Sequence, residues 1–208
     1  MKSESELVLN ALNVSRETTD RLHILANLLE KWNSRINLVS KTTLANLWSR
    51  HILDSAQIFN LSRSDCTHWV DIGSGGGFPG LVVAILAAEM RTGQTTTLIE
   101  SDQRKCAFLR TVIRETGISA KVKNKRIEQT EPEGADVISA RALSELTTLL
   151  EFGERHLGEN GVGLFPKGVN WKKEADEARK TWSFNVEVVQ SVTEPEAVIL
   201  KVGDIRRV

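Results

Sequence analysis

Apolar residues in the first third of the chain recur at helical steps. Leu22, Leu25, Leu29, Trp32 and Ile36 are three or four residues apart, which draws one apolar stripe along a helix, and Ser15 is placed to cap its start. Positions 33–43 are polar apart from Ile36, Leu38 and Val39 and read as a loop. A second helix is predicted over about 44–59, with Leu44, Leu47, Trp48, Ile52 and Phe59 apolar. From Thr67 the texture changes. Strands are predicted at 68–72, 95–99, 120–124, 137–139 and 161–165, alternating with helices at 79–90, 103–116, 145–156 and 171–181. That order argues for a mostly parallel sheet with helices on both faces. The runs 185–192 and 197–202 are β-rich and are joined by Thr193-Glu194-Pro195-Glu196, the composition of a hairpin. The expected architecture is a Rossmann-like α/β domain over 67–208 that closes in an antiparallel hairpin, with residues 1–66 as an N-terminal helical cap.

Composition narrows the class. A chain of 208 residues suits one domain with a modest extension and buries enough core to fold without a disulfide or metal. Its two cysteines, Cys66 and Cys106, lie in no Cys-x-x-Cys or Cys/His cluster, so reduced thiols in the cytoplasm and no metal are expected. The first six residues lack the basic-then-apolar layout of a signal peptide. The longest apolar run, 81–88, is too short for a membrane span. No membrane partner is expected, and a monomer is the expected state. Basic and acidic side chains number 27 each, so overall charge gives no support to nucleic-acid binding. Charge is uneven locally: 121–126 is a basic run and Lys167, Lys172 and Lys173 form a looser group, each also readable as solvated surface.

The most informative segment is Val70-Asp71-Ile72-Gly73-Ser74-Gly75-Gly76-Gly77-Phe78-Pro79-Gly80. A strand leads into a glycine-dense turn, and Pro79 sits where a helix accepts proline. Strand, glycine loop and helix in that order mark the crevice where open α/β sheets bind nucleotide-type ligands. Two ligands compete. The run 75–80 formally satisfies G-x-G-x-x-G, with Glu100 at about the ~20-residue offset of a dinucleotide site. The better match is Asp71, Gly73, Gly75 and Gly77, spelling D-x-G-x-G-x-G, an order that resembles motif I of the class I S-adenosylmethionine methyltransferases. An acid ahead of the first glycine suits the cationic methionyl end of S-adenosylmethionine and would sit badly beside a pyrophosphate. Glu100, after the second strand, is placed to take two ribose hydroxyls in either class. Ile127 and Glu128 follow the third strand, where methyltransferases of the class this loop resembles commonly contact the adenine, an apolar side chain covering the ring and polar groups meeting its amine; without that pattern the pair reads equally as surface.

Missing motifs narrow the methyl acceptor. The segment after the fourth strand is Ser139-Ala140-Arg141-Ala142, not an Asp/Asn-Pro-Pro-Tyr motif of amine methylation, and the chain has no tyrosine. Neither cysteine follows a proline, which counts against cytosine-C5 chemistry. Arg141 is the distinctive polar group, able to grip a carboxylate, phosphate or base through its fixed donors, although a structural salt bridge is an alternative. His51 and Asp54 lie one helical turn apart, the spacing of a structural His–Asp hydrogen bond. His23, His68 and His156 have no patterned partner.

Several segments together resemble one family, the bacterial ribosomal RNA small-subunit methyltransferase G family, also called glucose-inhibited division protein B. They are Trp32-Asn33 with Ile36-Asn37-Leu38, Arg50-His51-Ile52-Leu53-Asp54-Ser55, the run 71–80, Glu100-Ser101 with Lys105, Arg126-Ile127-Glu128, Ser139-Ala140-Arg141-Ala142 and Lys167-Gly168. The resemblance implies a class I S-adenosylmethionine-dependent methyltransferase fold and N7-methylation of the guanine at position 527 of 16S ribosomal RNA. It implies cofactor contacts at Gly73, Phe78, Ile127, Glu128 and Arg141, beside Asp71, Gly75 and Glu100 from the reading above. Asn37, Arg50, His51, Arg126 and Lys167 fall on the substrate side, and Arg141 and Lys167 are the expected catalytic pair. The chain departs from the family at Val39-Ser40 and at Gly76, where alanine is usual. Guanine N7 carries a lone pair and no proton, so catalysis is expected from orientation, without a general base. A non-catalytic RNA-binding assembly factor and a nicotinamide oxidoreductase are the rival classes. Lys31, Arg35, Asn37, Arg50 and His51 are expected near the cleft mouth, free to hold RNA phosphates.

Overall fold

The computed structural model describes residues 3–208; Met1 and Lys2 of the N-terminal stretch considered above lie outside the described residues. The chain opens with a helix not predicted above, α1 (Glu4–Leu12), closed by a capping box in which Ser3 and Glu6 satisfy each other's backbone N–H. The apolar stripe forms α2 (Arg16–Asn33). Ser15 caps it as expected, accepting from Thr18 N while its own hydroxyl donates to Glu89 at 2.9 Å. The loop at 33–43 contains a short turn, α3 (Lys41–Leu44). The single helix predicted over 44–59 is instead a π-helical segment, Trp48–Leu53, running into α4 (Asp54–Phe59).

The alternating part follows the expected order: β1 (His68–Ile72), α5 (Gly80–Met90), β2 (Thr95–Ile99), α6 (Gln103–Thr116), β3 (Ala120–Lys123), a 3-10 turn at Ile127–Gln129, β4 (Ala135–Ser139), α7 (Leu146–His156), β5 (Leu157–Lys167) and α8 (Trp171–Ala178). The chain ends in β6 (Trp182–Gln190) and β7 (Val198–Arg207). One seven-stranded sheet has the order β3-β2-β1-β4-β5-β7-β6. Its first five strands are parallel, and β7 pairs antiparallel with both β5 and β6. β5 and β7 are longer than predicted because mostly polar residues continue their ladders past the apolar stretch, whereas β6 starts earlier, at the buried Trp182, and ends at Gln190.

Two apolar clusters flank the sheet. On one side Leu22, Leu25 and Leu29 of α2 and Ile58 and Phe59 of α4 pack with Trp69, Leu81 and Phe108. On the other, Leu146, Leu149, Leu150, Ala175 and Ala178 of α7 and α8 cover Val70, Ile72 and Ile138. Residues 4–60 therefore add a layer over α5 and α6 and share their core. This layer reaches the carboxyl ends of the parallel strands, and there the cleft opens.

Candidate functional site

A cavity of about 760 Å³ opens between the glycine loop, the segment after β4 and the helical layer. Gly73 and Gly75 hold left-handed backbone, φ 64° and 52°, which other residues adopt only with strain. At Gly73 a side chain would also collide with Leu143. Gly76 serves close approach: a Cβ there would lie 3.1 Å from the Leu38 carbonyl oxygen. The Leu38 loop is held in turn by Asn33, whose Oδ1 accepts from Leu38 N at 2.9 Å and Val39 N at 3.0 Å. Leu38, Val39 and Ser40 thereby form one cavity wall facing the glycine loop.

Asp71 does not line that cavity. It is fully buried beneath the loop, and Oδ1 accepts from Ser139 Oγ at 2.7 Å, a hydroxyl that itself accepts from Trp69 Nε1 at 2.9 Å. Its Oδ2 is buried without a hydrogen-bond partner. Burial pushes the Asp71 carboxyl up to about 6, against the opposing pull of the Ser139 hydroxyl and the Arg141 charge. Glu100 is also buried. Its Oε2 accepts from Gly75 N at 2.9 Å and its Oε1 from Asp102 N at 2.8 Å, so it ties the glycine loop to the turn after β2. A second lone pair on each oxygen remains for a ligand.

Arg141 is the hub of the cavity. Its Nη1 donates to the Arg50 carbonyl at 3.0 Å and to Asp54 Oδ2 at 3.2 Å, and its Nη2 lies 2.6 Å from His51 Nδ1. Asp54 also accepts from Thr193 Oγ1 at 2.7 Å, which brings in the β6–β7 connection. The expected direct His51–Asp54 bond is thus replaced by an arginine standing between the two. A guanidinium has only donors, so His51 Nδ1 must be the acceptor and the imidazole neutral. Burial, helped by the Arg141 and Arg50 charges, lowers the His51 pKa to about 3. Its ring lies 4.9 Å from that of Phe78, and its Nε2 is buried without a partner. Lys167 lines the cavity but is engaged: Nζ donates to the Ser144 carbonyl at 2.7 Å and to Glu174 at 2.6 Å. Arg50 pairs with Glu194 across the mouth.

The cavity therefore gathers Gly73, Gly75, Phe78, Arg50, His51, Arg141 and Lys167. The remaining expected site residues lie elsewhere. Asn37 is exposed, next to but outside the wall at 38–40. Arg126 borders a shallower depression of about 510 Å³ with Ser101, Asp102 and Asn124. Ile127 is packed into the second apolar cluster and Glu128 is exposed beside it. Lys31 and Arg35 flank a groove between α2 and α6, apart from the cavity. Sequence reasoning missed Thr193 and Glu194, which looked like hairpin residues only, and it missed the loop-holding role of Asn33, although Trp32-Asn33 was singled out. No group of three or more His, Cys, Asp and Glu among the described residues is placed to hold a metal ion. No helix among the described residues is long and apolar enough to cross a membrane.

Residues 18–201 match the family described as GidB, rRNA small subunit methyltransferase G. A protein named ribosomal RNA small subunit methyltransferase G from Ruegeria sp. is 57% identical over 197 residues, covering 95% of this chain and 96% of its own. One of the same name from Paramagnetospirillum magneticum is 46% identical over 202 residues, covering 97% and 96%. Among solved structures, an S-adenosylmethionine-dependent methyltransferase from Aquifex aeolicus superimposes with a TM-score of 0.58 at 14% identity, over 86% of this chain and 98% of that one. A TehB-like methyltransferase from Corynebacterium glutamicum gives 0.57 at 15% identity, over 84% and 96%. At such identities these two likenesses speak for the fold.

Proposed function

The chain belongs to the rRNA small subunit methyltransferase G family, and from that premise we propose that it methylates N7 of a guanine in 16S ribosomal RNA, the one at position 527, using S-adenosylmethionine. The observation that carries the reading is the cavity in which the glycine loop and Arg141 meet side chains of the helical layer. The residues fit the cofactor: two left-handed glycines bring bare backbone to the cavity, and Asp71 holds a buried, unpaired carboxylate oxygen under that loop. The cofactor supplies an electrophilic methyl group on a cationic sulfur. Gly73, Gly75 and Phe78 would bound its methionyl part, with Asp71 offsetting its charge from below. Glu100 would take the ribose, and Ile127 with Glu128, the two residues after Arg126, the adenine.

On the substrate side, Arg50 and His51 line the cavity mouth with Lys167, while Asn37 is exposed next to its wall and Arg126 borders the separate depression. Arg141 connects the two sides, since one of its N–H groups binds His51 and another binds Asp54. Its role is to fix the wall against which base and methyl donor are aligned. Orientation and exclusion of water are the catalytic contributions required, because N7 has no proton to lose. A neutral His51 whose Nδ1 is already occupied fits a reaction without a general base. Two buried free cysteines, with Cys66 pushed up to about 11 by burial, suit a reducing cytoplasm. We take the working state to be a monomer acting on the small subunit or its RNA.

The test is to incubate the protein and labelled S-adenosylmethionine with small subunits lacking the modification, then map the labelled nucleotide. Label on N7 of that guanine is expected. Binding of a nicotinamide dinucleotide and none of S-adenosylmethionine would overturn the assignment.

A further inference from the structure

Three carboxylates line the cavity: Asp54, Glu174 and Glu194. Two are committed. Asp54 accepts from Arg141, Gln57 and Thr193. Glu174 neutralises Lys167, whose side chain is only 8% exposed, and also accepts from Leu146 N; turning it away would leave a buried ammonium unpaired. Glu194 differs from both. It sits on the β6–β7 connection at the cavity mouth, and its side chain's one partner among the described residues is the Arg50 guanidinium, with both side chains about two-fifths exposed. Ion pairs between groups so exposed are weak and readily exchanged.

Resting on the reaction proposed above, we propose that Glu194 reads the target guanine, accepting hydrogen bonds from its N1–H and 2-amino group, while the released Arg50 takes a backbone phosphate of the same RNA. The chemistry of the base selects a carboxylate. Guanine presents two adjacent donors on the edge away from N7, and an ionised carboxyl accepts both, whereas adenine presents no such pair. The charge change makes the contact favour the reaction as well as the binding. As the N7 lone pair becomes the new C–N bond, the C–S pair stays with sulfur; the sulfonium loses its charge and the neutral guanine becomes a cation, with no proton moving. A carboxylate on the base is therefore stabilised more in the transition state than in the ground state, the condition for raising kcat. The exchange also leaves neither charge unpaired, since Arg50 passes from a carboxylate to a phosphate.

The experiment compares small subunits reconstituted with guanosine or inosine at the target nucleotide; inosine keeps N7, O6 and N1–H but lacks the 2-amino group. The wild-type protein is expected to favour guanosine by about tenfold or more in kcat/KM, the size expected for losing a hydrogen bond to a charged group. Glu194→Ala should lose that preference with cofactor affinity unchanged, and Glu194→Gln should show a lowered kcat at saturating subunit. Arg50→Ala should raise KM yet keep the preference, which separates base reading from a structural role of the ion pair. A wild-type preference surviving in Glu194→Ala would overturn the inference, as would a wild type that never distinguished the two bases, or an unchanged kcat in Glu194→Gln. A wild type that leaves N7 unmethylated in the guanosine subunit would overturn the assigned reaction instead, so the two failures are distinguishable.

Discussion

A buried carboxylate that accepts two backbone N–H groups cannot be removed without freeing the loop it holds. Glu100 is in that position, bonded to Gly75 N and Asp102 N. Read from sequence, it is an acid after a strand placed to take ribose hydroxyls; its burial and its loop contact are visible only in three dimensions. Glu100→Ala is expected to weaken S-adenosylmethionine binding by about 1.5–3 kcal/mol, the loss of hydrogen bonds to a charged group, and to lower the melting temperature of the free protein as well. Calorimetry with thermal melts checks both, and unchanged affinity in a folded variant would remove Glu100 from the site. His51 gives a prediction of the opposite kind. Its folded pKa of about 3 lies below the ordinary 6.5, so the unfolded chain binds the proton more readily. The stability this neutral histidine contributes is present above pH 6.5 and is lost as pH falls from there towards 3. His51→Gln should therefore soften the acid limb of the melting curve, while the kcat profile between pH 6 and 9 shows no His51 inflection. A bell-shaped profile that flattens in His51→Gln would show that a proton is moved after all.

At the scale of elements, the predicted strands and helices of the alternating region all form: α6, α7 and α8 from one-sided apolar stripes, α5 and the central strands from continuously buried runs bounded by turn residues. The first third was harder to read. α1 carried a capping-box signature, Ser3 to Glu6, that ends within six residues of the start and has a weak apolar stripe behind it. The π-helical segment at Trp48–Leu53 has no sequence signature of its own; it turns His51 and Asp54 towards Arg141, where regular helical spacing suggested that they meet each other. The wall at 38–40 depends on a single side chain. Asn33 acts only as an acceptor there, so Asn33→Asp should keep the wall and Asn33→Ala should release it. A kcat/KM loss of about tenfold or more in Asn33→Ala, restored in Asn33→Asp, is expected, the alanine change forfeiting two hydrogen bonds. Equal losses in both variants would mean that the amide N–H groups matter and that the wall is held in another way.

For the whole molecule, the fold was legible from the βα order and a cavity at the strand ends from the glycine loop, yet the relation of the helical layer to both was not. Apolar stripes say that a helix is covered; they do not say by what, and here Leu22, Leu25 and Leu29 join the core of the sheet's α5–α6 face. Arg50 and His51 are thereby fixed at the cavity, whereas Lys31 and Arg35, expected beside them, are carried to the α2–α6 groove. Because the chain carries as many acidic as basic side chains, attraction for RNA must come from local surfaces, not from net charge. Lys31 and Arg35 are exposed on one such surface, and α2 ends at the Asn33 that supports the cavity wall. RNA leaving the cavity over this end of α2 would meet both cations. Replacing both by alanine should reduce the salt slope of small-subunit binding by about 1 to 2, as expected when two phosphate contacts are lost, and raise KM at physiological salt while leaving cofactor affinity and melting temperature unchanged. Binding assays across a salt series supply the slope. A variant that melts normally and keeps the wild-type slope would show that this end of the helical layer does not touch RNA, leaving Arg50 and the cavity rim to supply the electrostatic contacts.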